Sequence, residues 1–159
     1  MRAAFLVLAA CAVVLAGCPK EKRALNAARK AVEVAASTVD LVDAEVSTMY
    51  TAAATECLES SDDRPAYETC VRRWNKTVLA VVSMKNSLLL VENSLDAWEA
   101  GSPNGRNNLL SAVACFSESL LRLQDILSDL GANTPALDQG LDYVDNLFGH
   151  SGFACPIGT

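Results

Sequence analysis

The residues with the widest chemical range in this chain are its six cysteines, at positions 11, 18, 57, 70, 115 and 155, together with one histidine, His150, and 19 carboxylates. A thiol can ligate a metal, attack as a nucleophile, pair as a disulfide or carry a covalent modification. Zinc sites draw on closely spaced cysteine pairs or on histidines. Here no two cysteines after position 18 lie closer than Cys57 and Cys70, thirteen residues apart, and His150 sits in the glycine-flanked run Gly149-His150-Ser151-Gly152. No metal is expected. The chain also lacks a phosphate-binding glycine loop, a nucleophile elbow and a helical zinc-protease motif. Asp138, Asp142 and Asp145 fall on one side of a helical stretch with Asp125 and Asp129 upstream, a set that could hold a cation loosely. The apolar stripe opposite them makes a solvated face the expected reading. The expectation is a protein that is not an enzyme and has no cofactor.

The first residues give Cys18 a different role. Met1-Arg2 is followed by fifteen uncharged residues, Ala3 to Gly17, in which Cys11 is embedded. That run falls short of the roughly 20 residues a membrane-crossing helix needs, and it ends in small residues, as an export signal does. Its last residues and the next, Leu15-Ala16-Gly17-Cys18, resemble the lipobox of bacterial lipoproteins. The resemblance covers residues 1–18 alone. It implies that residues 1–17 are a signal peptide, that the Cys18 thiol takes a diacylglyceryl group, and that cleavage precedes Cys18, whose new amino group is then acylated with a chain such as palmitate. Several chains anchor a protein stably where one does not. In the same family an aspartate after the lipidated cysteine favours inner-membrane retention. Pro19 stands there instead, so the implied location is the cell envelope, at the outer membrane rather than the inner, facing the periplasm.

Removing 17 of 159 residues leaves 142, enough for a single core. The 13 basic and 19 acidic residues become 12 and 19, a net charge of −7, which argues against nucleic acid as a partner. Lys20, Lys22, Arg23, Arg29 and Lys30 are set against Glu21 alone. This basic collar next to Cys18 suits either anionic headgroups or plain solvation. From Asn86 onward nine acids face two bases, Arg106 and Arg122, so the far part of the chain should repel an anionic membrane.

The remaining four cysteines, Cys57, Cys70, Cys115 and Cys155, are an even number in an exported chain, which predicts two disulfides. The elements that must position them are helical, since apolar residues recur at steps of three and four. A first helix is predicted from about Lys22 to Glu59, with Leu25, Val32, Val39, Val46 and Ala53 at seven-residue spacing. Val34 and Leu41 add a second apolar edge, which predicts that this helix packs on more than one neighbour. After Ser60-Ser61-Asp62-Asp63-Arg64-Pro65, a cap and restart, a second helix is predicted to about Ala100, with Tyr67, Trp74, Val81, Leu88 and Leu95 as its series. Leu88-Leu89-Leu90-Val91 is apolar all round and predicts burial on several sides.

Folded back as an antiparallel hairpin, these two series pair residues whose position numbers add to 127: Val32 with Leu95, Val39 with Leu88, Val46 with Val81, Ala53 with Trp74. Cys57 and Cys70 add to 127 as well. Two independent signals therefore require the same alignment and a Cys57–Cys70 bond. A third helix, about Arg106 to Leu130, carries the seam Leu109, Val113, Phe116, Leu120, Leu123, Leu127, Leu130, with Gly131 placed to end it. Asn133-Thr134-Pro135 opens a short fourth helix to about Phe148. Folding back from there sets the tail beside Cys115, so elimination and reach predict Cys115–Cys155.

The predicted fold is all-α, an up-down bundle of three long helices and one short helix, stapled by disulfides. Its organisation is a signal peptide at 1–17, a lipidated cysteine and basic linker at 18–24, and a bundle domain at 25–159. Trp74, Trp98 and Tyr67 fall on core series, so they are read as packing rather than as a sugar site. Arg72, Arg73 and Lys76 lie near Glu56, Glu59, Asp62 and Asp63 and are expected to pair with them. The expected function is a membrane-anchored envelope lipoprotein, held by membrane lipid through acylated Cys18, acting as a structural or protein-interaction module with an envelope protein as partner. The alternative is a carrier holding an apolar ligand in the bundle.

Overall fold

A computed structural model describes residues 21–132, 134–148 and 155, with the side chains of 22–132, 134–144 and 155. It contains four helices, α1 (Glu21–Ser60), α2 (Arg64–Glu99), α3 (Gly105–Asp129) and α4 (Pro135–Phe148), and no strand among the described residues. The signal peptide, Cys18 and His150 lie outside the described residues.

The ends of the helices follow from local chemistry. Asp63 stands extended before α2 and accepts the Ala66 N–H at 2.8 Å, with Pro65 in the first turn, where a missing N–H costs nothing. Gly101 and Gly131 follow α2 and α3 at φ +80° and +70°, the left-handed turn that satisfies the last carbonyls. The Ser102 N–H reaches the Ala97 carbonyl and the Ala132 N–H reaches that of Leu127, both at 2.9 Å. Thr134 caps α4, its hydroxyl accepting the Leu137 N–H at 3.2 Å.

Each helix touches its neighbour in sequence or, for α1, the last helix; the pairs α1/α3 and α2/α4 sit across diagonals. The core runs down the middle. Val39, Val42 and Val46 of α1 meet Val81, Met84, Leu88, Val91 and Leu95 of α2. Phe116, Leu120, Leu123 and Leu127 of α3 and Leu137 and Val144 of α4 close the other side. Fully burying one such side chain contributes roughly 1.5–3 kcal/mol. Small residues, Ala24, Ala28 and Ala35, let the neighbours approach the first half of α1.

The hairpin alignment read from the sequence is the one observed. Cys57 is bonded to Cys70, and the α1–α2 ion pairs Asp43–Lys85 and Arg29–Glu99 have position numbers that add to 128, one residue from the predicted register. α1 packs on more than one neighbour, as expected, touching both α2 and α4, though not through its second apolar edge. Val34 and Leu41 are 42% and 59% exposed, because α1 meets α4 through the neighbouring positions Ala31, Thr38 and Glu45. Leu88 and Val91 are buried, but against expectation Leu89 and Leu90 are 53% and 43% exposed, because none of the described elements covers the outer side of α2.

Helix length gives the molecule its shape. The 25 residues of α3 begin beside Trp98 and end where Ile126 lies against Leu79 and Ala80. The Ala136 N–H, at the start of α4, donates to Glu45 at 3.3 Å. Past that level α1 and α2 continue alone as a two-helix arm about 20 Å long. Tyr67 and Trp74 belong to the arm and are only half-buried, which corrects their assignment to the core.

The Cys57–Cys70 bond closes the arm's loop. Replacing both with serine is expected to remove up to about 3 kcal/mol of loop-closure stabilisation. The long hairpin and the Asp63 cap remain, so helicity at low temperature should stay unchanged while the melting temperature falls. A circular-dichroism melt checks this, and loss of helix at 10 °C would show that the arm needs its staple to form.

Candidate functional site

The structure brings together the four cysteines predicted to pair. Cys57, 2% exposed, and Cys70 join the helices at the arm's far end, and Cys115, 7% exposed on α3, is joined to Cys155. The second bond brings the chain's last described residue onto the seam between α2 and α3. There the Ser87 and Ser119 hydroxyls meet at 3.0 Å, each also donating to a backbone carbonyl of its own helix in turn, so the polar atoms under Cys155 are satisfied. Replacing Cys155 with serine is expected to accelerate proteolysis after Phe148, read by timed digestion and mass spectrometry. Equal cleavage rates would show that the bond does not hold this segment.

Two grooves lie along that seam. One, about 490 Å³, has Leu79, Ala80 and Ile126 for its floor, with Lys76, Ser83 and Arg122 at its rim. The other, about 250 Å³, shares Ser83 and Arg122 and runs over Ser87 and Ser119 to the Cys115–Cys155 bond. Neither assembles a nucleophile with a base. Among the described residues no three histidine, cysteine, aspartate or glutamate side chains are grouped to hold a metal ion. The side chain of Asp145 is outside the described ones.

Charges are distributed unevenly along α2. Arg72, Arg73 and Lys76 are exposed on the arm half and, contrary to expectation, form no ion pair with Glu56, Glu59, Asp62 or Asp63. Those acids lie at the very tip, and the local pair there is Arg64–Glu68 at 2.7 Å. At the other end Glu99 accepts two bonds of 2.7 Å from one Arg29 nitrogen. That hydrogen bonding, then the attraction of the Glu99 charge, raises the Arg29 pKa above its ordinary value. Trp98 is buried beside Gly105, whereas Trp74 is half-buried and Tyr50 meets Asn75 at 3.3 Å, all within α1–α2 or at the start of α3.

No family model, curated protein or solved structure matches this chain.

Two features escaped the sequence reading. The uncovered outer face of α2 carries Val78, Leu79, Val82, Leu89 and Leu90, all at least 42% exposed. Gly105 packs against the Trp98 backbone, a contact for which the sequence held no sign beyond the glycine itself.

Proposed function

We propose that the protein is a lipid-anchored cell-envelope lipoprotein that works as a non-enzymatic interaction module. The reading rests on Leu15-Ala16-Gly17-Cys18 together with one observation, the disulfide-stapled arm at the end of the molecule opposite residue 21. α1 is 40 residues, about 60 Å at 1.5 Å per residue. Anchored through Cys18 in the outer membrane, it holds the arm that far from the lipid on the periplasmic side. Leu58, 67% exposed beside the staple, is the apolar contact the arm offers a partner protein.

The anchor and the contact are tested separately. Cys18→Ser is expected to leave an uncleaved precursor without acyl mass, read by mass spectrometry of the membrane fraction. Normal cleavage and the absence of acyl mass on the parent protein would overturn the anchor. A photocrosslinking residue at Leu58 is expected to yield one discrete adduct in cells, absent when the same residue replaces Asn107 near the opposite end. No adduct, or the same adduct from both positions, would overturn the arm as the contact.

The α2–α3 groove favours a second reading, a carrier of an apolar anion, since Lys76 and Arg122 flank its apolar floor. Displacement of a fluorescent fatty acid, weakened by Arg122→Glu, separates the carrier from the interaction module.

A further inference from the structure

The outer face of α2 carries five of the nine large apolar side chains that are exposed among the described residues. Between Asn75 and Asn93 five large apolar side chains are 42–70% exposed, and the charged residues are Lys76 and Glu92 near the two ends and Lys85, which pairs with Asp43 of α1 at 2.7 Å. α2 is long and apolar enough to cross a membrane by length and composition alone, and 39% of its most apolar 18-residue stretch is buried. Contiguous exposed apolar surface of this kind marks a contact site.

The same face has two-fold symmetry in its sequence. About a centre at Met84, position numbers that add to 168 pair Val78 with Leu90, Leu79 with Leu89 and Asn75 with Asn93. Charge at the two ends is reversed. Arg72 is level with Asp96 and Lys76 with Glu92 under the same operation, and none of these four forms an ion pair among the described residues. An isologous contact needs a surface complementary to itself, which is what an apolar centre with a basic and an acidic end provides. Opposite charges at one level are attractive within a Debye length of about 8 Å at physiological salt. A parallel arrangement sets basic against basic and acidic against acidic.

We propose that two copies of this chain associate through the outer faces of α2, antiparallel, with a two-fold axis passing level with Met84. Leu79 and Val78 of one copy rest on Leu89 and Leu90 of the other, and the arm half of each lies beside the acidic half of its partner. The α1 N-termini then point to opposite ends of the pair. Combined with the Cys18 anchor proposed above, such a pair joins two facing lipid surfaces rather than neighbours on one.

Analytical ultracentrifugation of the purified full chain in density-matched detergent tests the association without reference to lipidation. The expected result is a species of twice 16.9 kDa. Leu79→Glu with Leu89→Glu should convert it to monomer with an unchanged melting curve, since both side chains are exposed. Arg72→Glu with Lys76→Glu should weaken dimerisation at least tenfold at low salt, and adding Glu92→Lys and Asp96→Lys should restore it. Asn75→Cys and Asn93→Cys variants should crosslink when mixed and not separately. A monomer at 100 µM, a dimer indifferent to Leu79→Glu/Leu89→Glu, or crosslinking of Asn75→Cys with itself would overturn the proposal. Monomers that bind phosphatidylglycerol vesicles through Leu79 and Leu89 would overturn it in favour of a lipid surface.

Discussion

Leu120→Asp is expected to unfold the bundle or leave it barely folded at neutral pH. Leu120 is 0% exposed in the middle of α3, among Leu123, Phe116 and the α2 core residues. Two losses combine there. The leucine forfeits roughly 1.5–3 kcal/mol of burial, and an unpaired carboxylate in an apolar site costs several more. Together these approach the whole stability of a typical domain, about 5–15 kcal/mol. Burial raises the pKa of the new aspartate in the folded state. The charge penalty is thus present above the unfolded-state pKa and disappears below it, so the variant should be less destabilised in mild acid than at pH 7. Arg122→Asp, exposed two residues away, should cost under about 1 kcal/mol. Thermal melts of both, at pH 7 and pH 4, check the pair. Equal melting temperatures would mean that α3 presents a different face to the core.

Gly105→Ala should have the second largest effect for so small a change. A Cβ at Gly105 would stand 2.5 Å from the Trp98 Cα and 2.7 Å from its backbone nitrogen, where apolar atoms in contact sit about 3.5–4.0 Å apart. Backbone atoms cannot rotate away, so α2 and the start of α3 must separate. Overpacking of this kind costs about 1–3 kcal/mol, against a gain of roughly 0.5–1 kcal/mol from replacing a helical glycine. The net expectation is a loss of about 1 kcal/mol, seen as a fall of a few degrees in melting temperature. Gly140→Ala is the informative comparison. Its Cβ would meet only the Thr38 Cγ2, at 2.7 Å, so adding Thr38→Ser should recover the loss. No side-chain substitution at Trp98 should rescue Gly105→Ala. Recovery with Trp98→Phe would show that the ring, and not the backbone, fills the space.

What the sequence revealed of this fold depended on whether a signal was local and repeated. The α1–α2 register was legible because apolar spacing and cysteine spacing are separate constraints, and they agree on Cys57–Cys70. The stop at Gly131 was legible because a left-handed turn selects glycine. The outer face of α2 was misread for a physical reason. Leu89 and Leu90 have the same side chain as Leu88, and periodicity reports that a position is apolar without reporting what covers it. Val34 and Leu41 were misread in the same way, since α4 settles on α1 through Ala31, Thr38 and Gly140, where small residues allow close approach. Trp74 and Tyr67 follow the α2 core series but lie beyond the reach of a 25-residue α3, a matter of length rather than of phase.

The order of the disulfides along the chain has a consequence for biogenesis. Four cysteines allow three pairings, and the one present joins Cys57 to Cys70 and Cys115 to Cys155, each to the next in sequence. The two loops are neither nested nor interlaced. A polypeptide threaded N-terminus first into an oxidising compartment presents Cys57 and Cys70 together, with Cys115 and Cys155 still behind. If the chain is exported as proposed, with Cys11 removed and Cys18 acylated, an oxidase that links each thiol to the next one to arrive produces this connectivity directly. Maturation would then depend on a disulfide donor and be indifferent to the enzymes that reshuffle mispaired bonds.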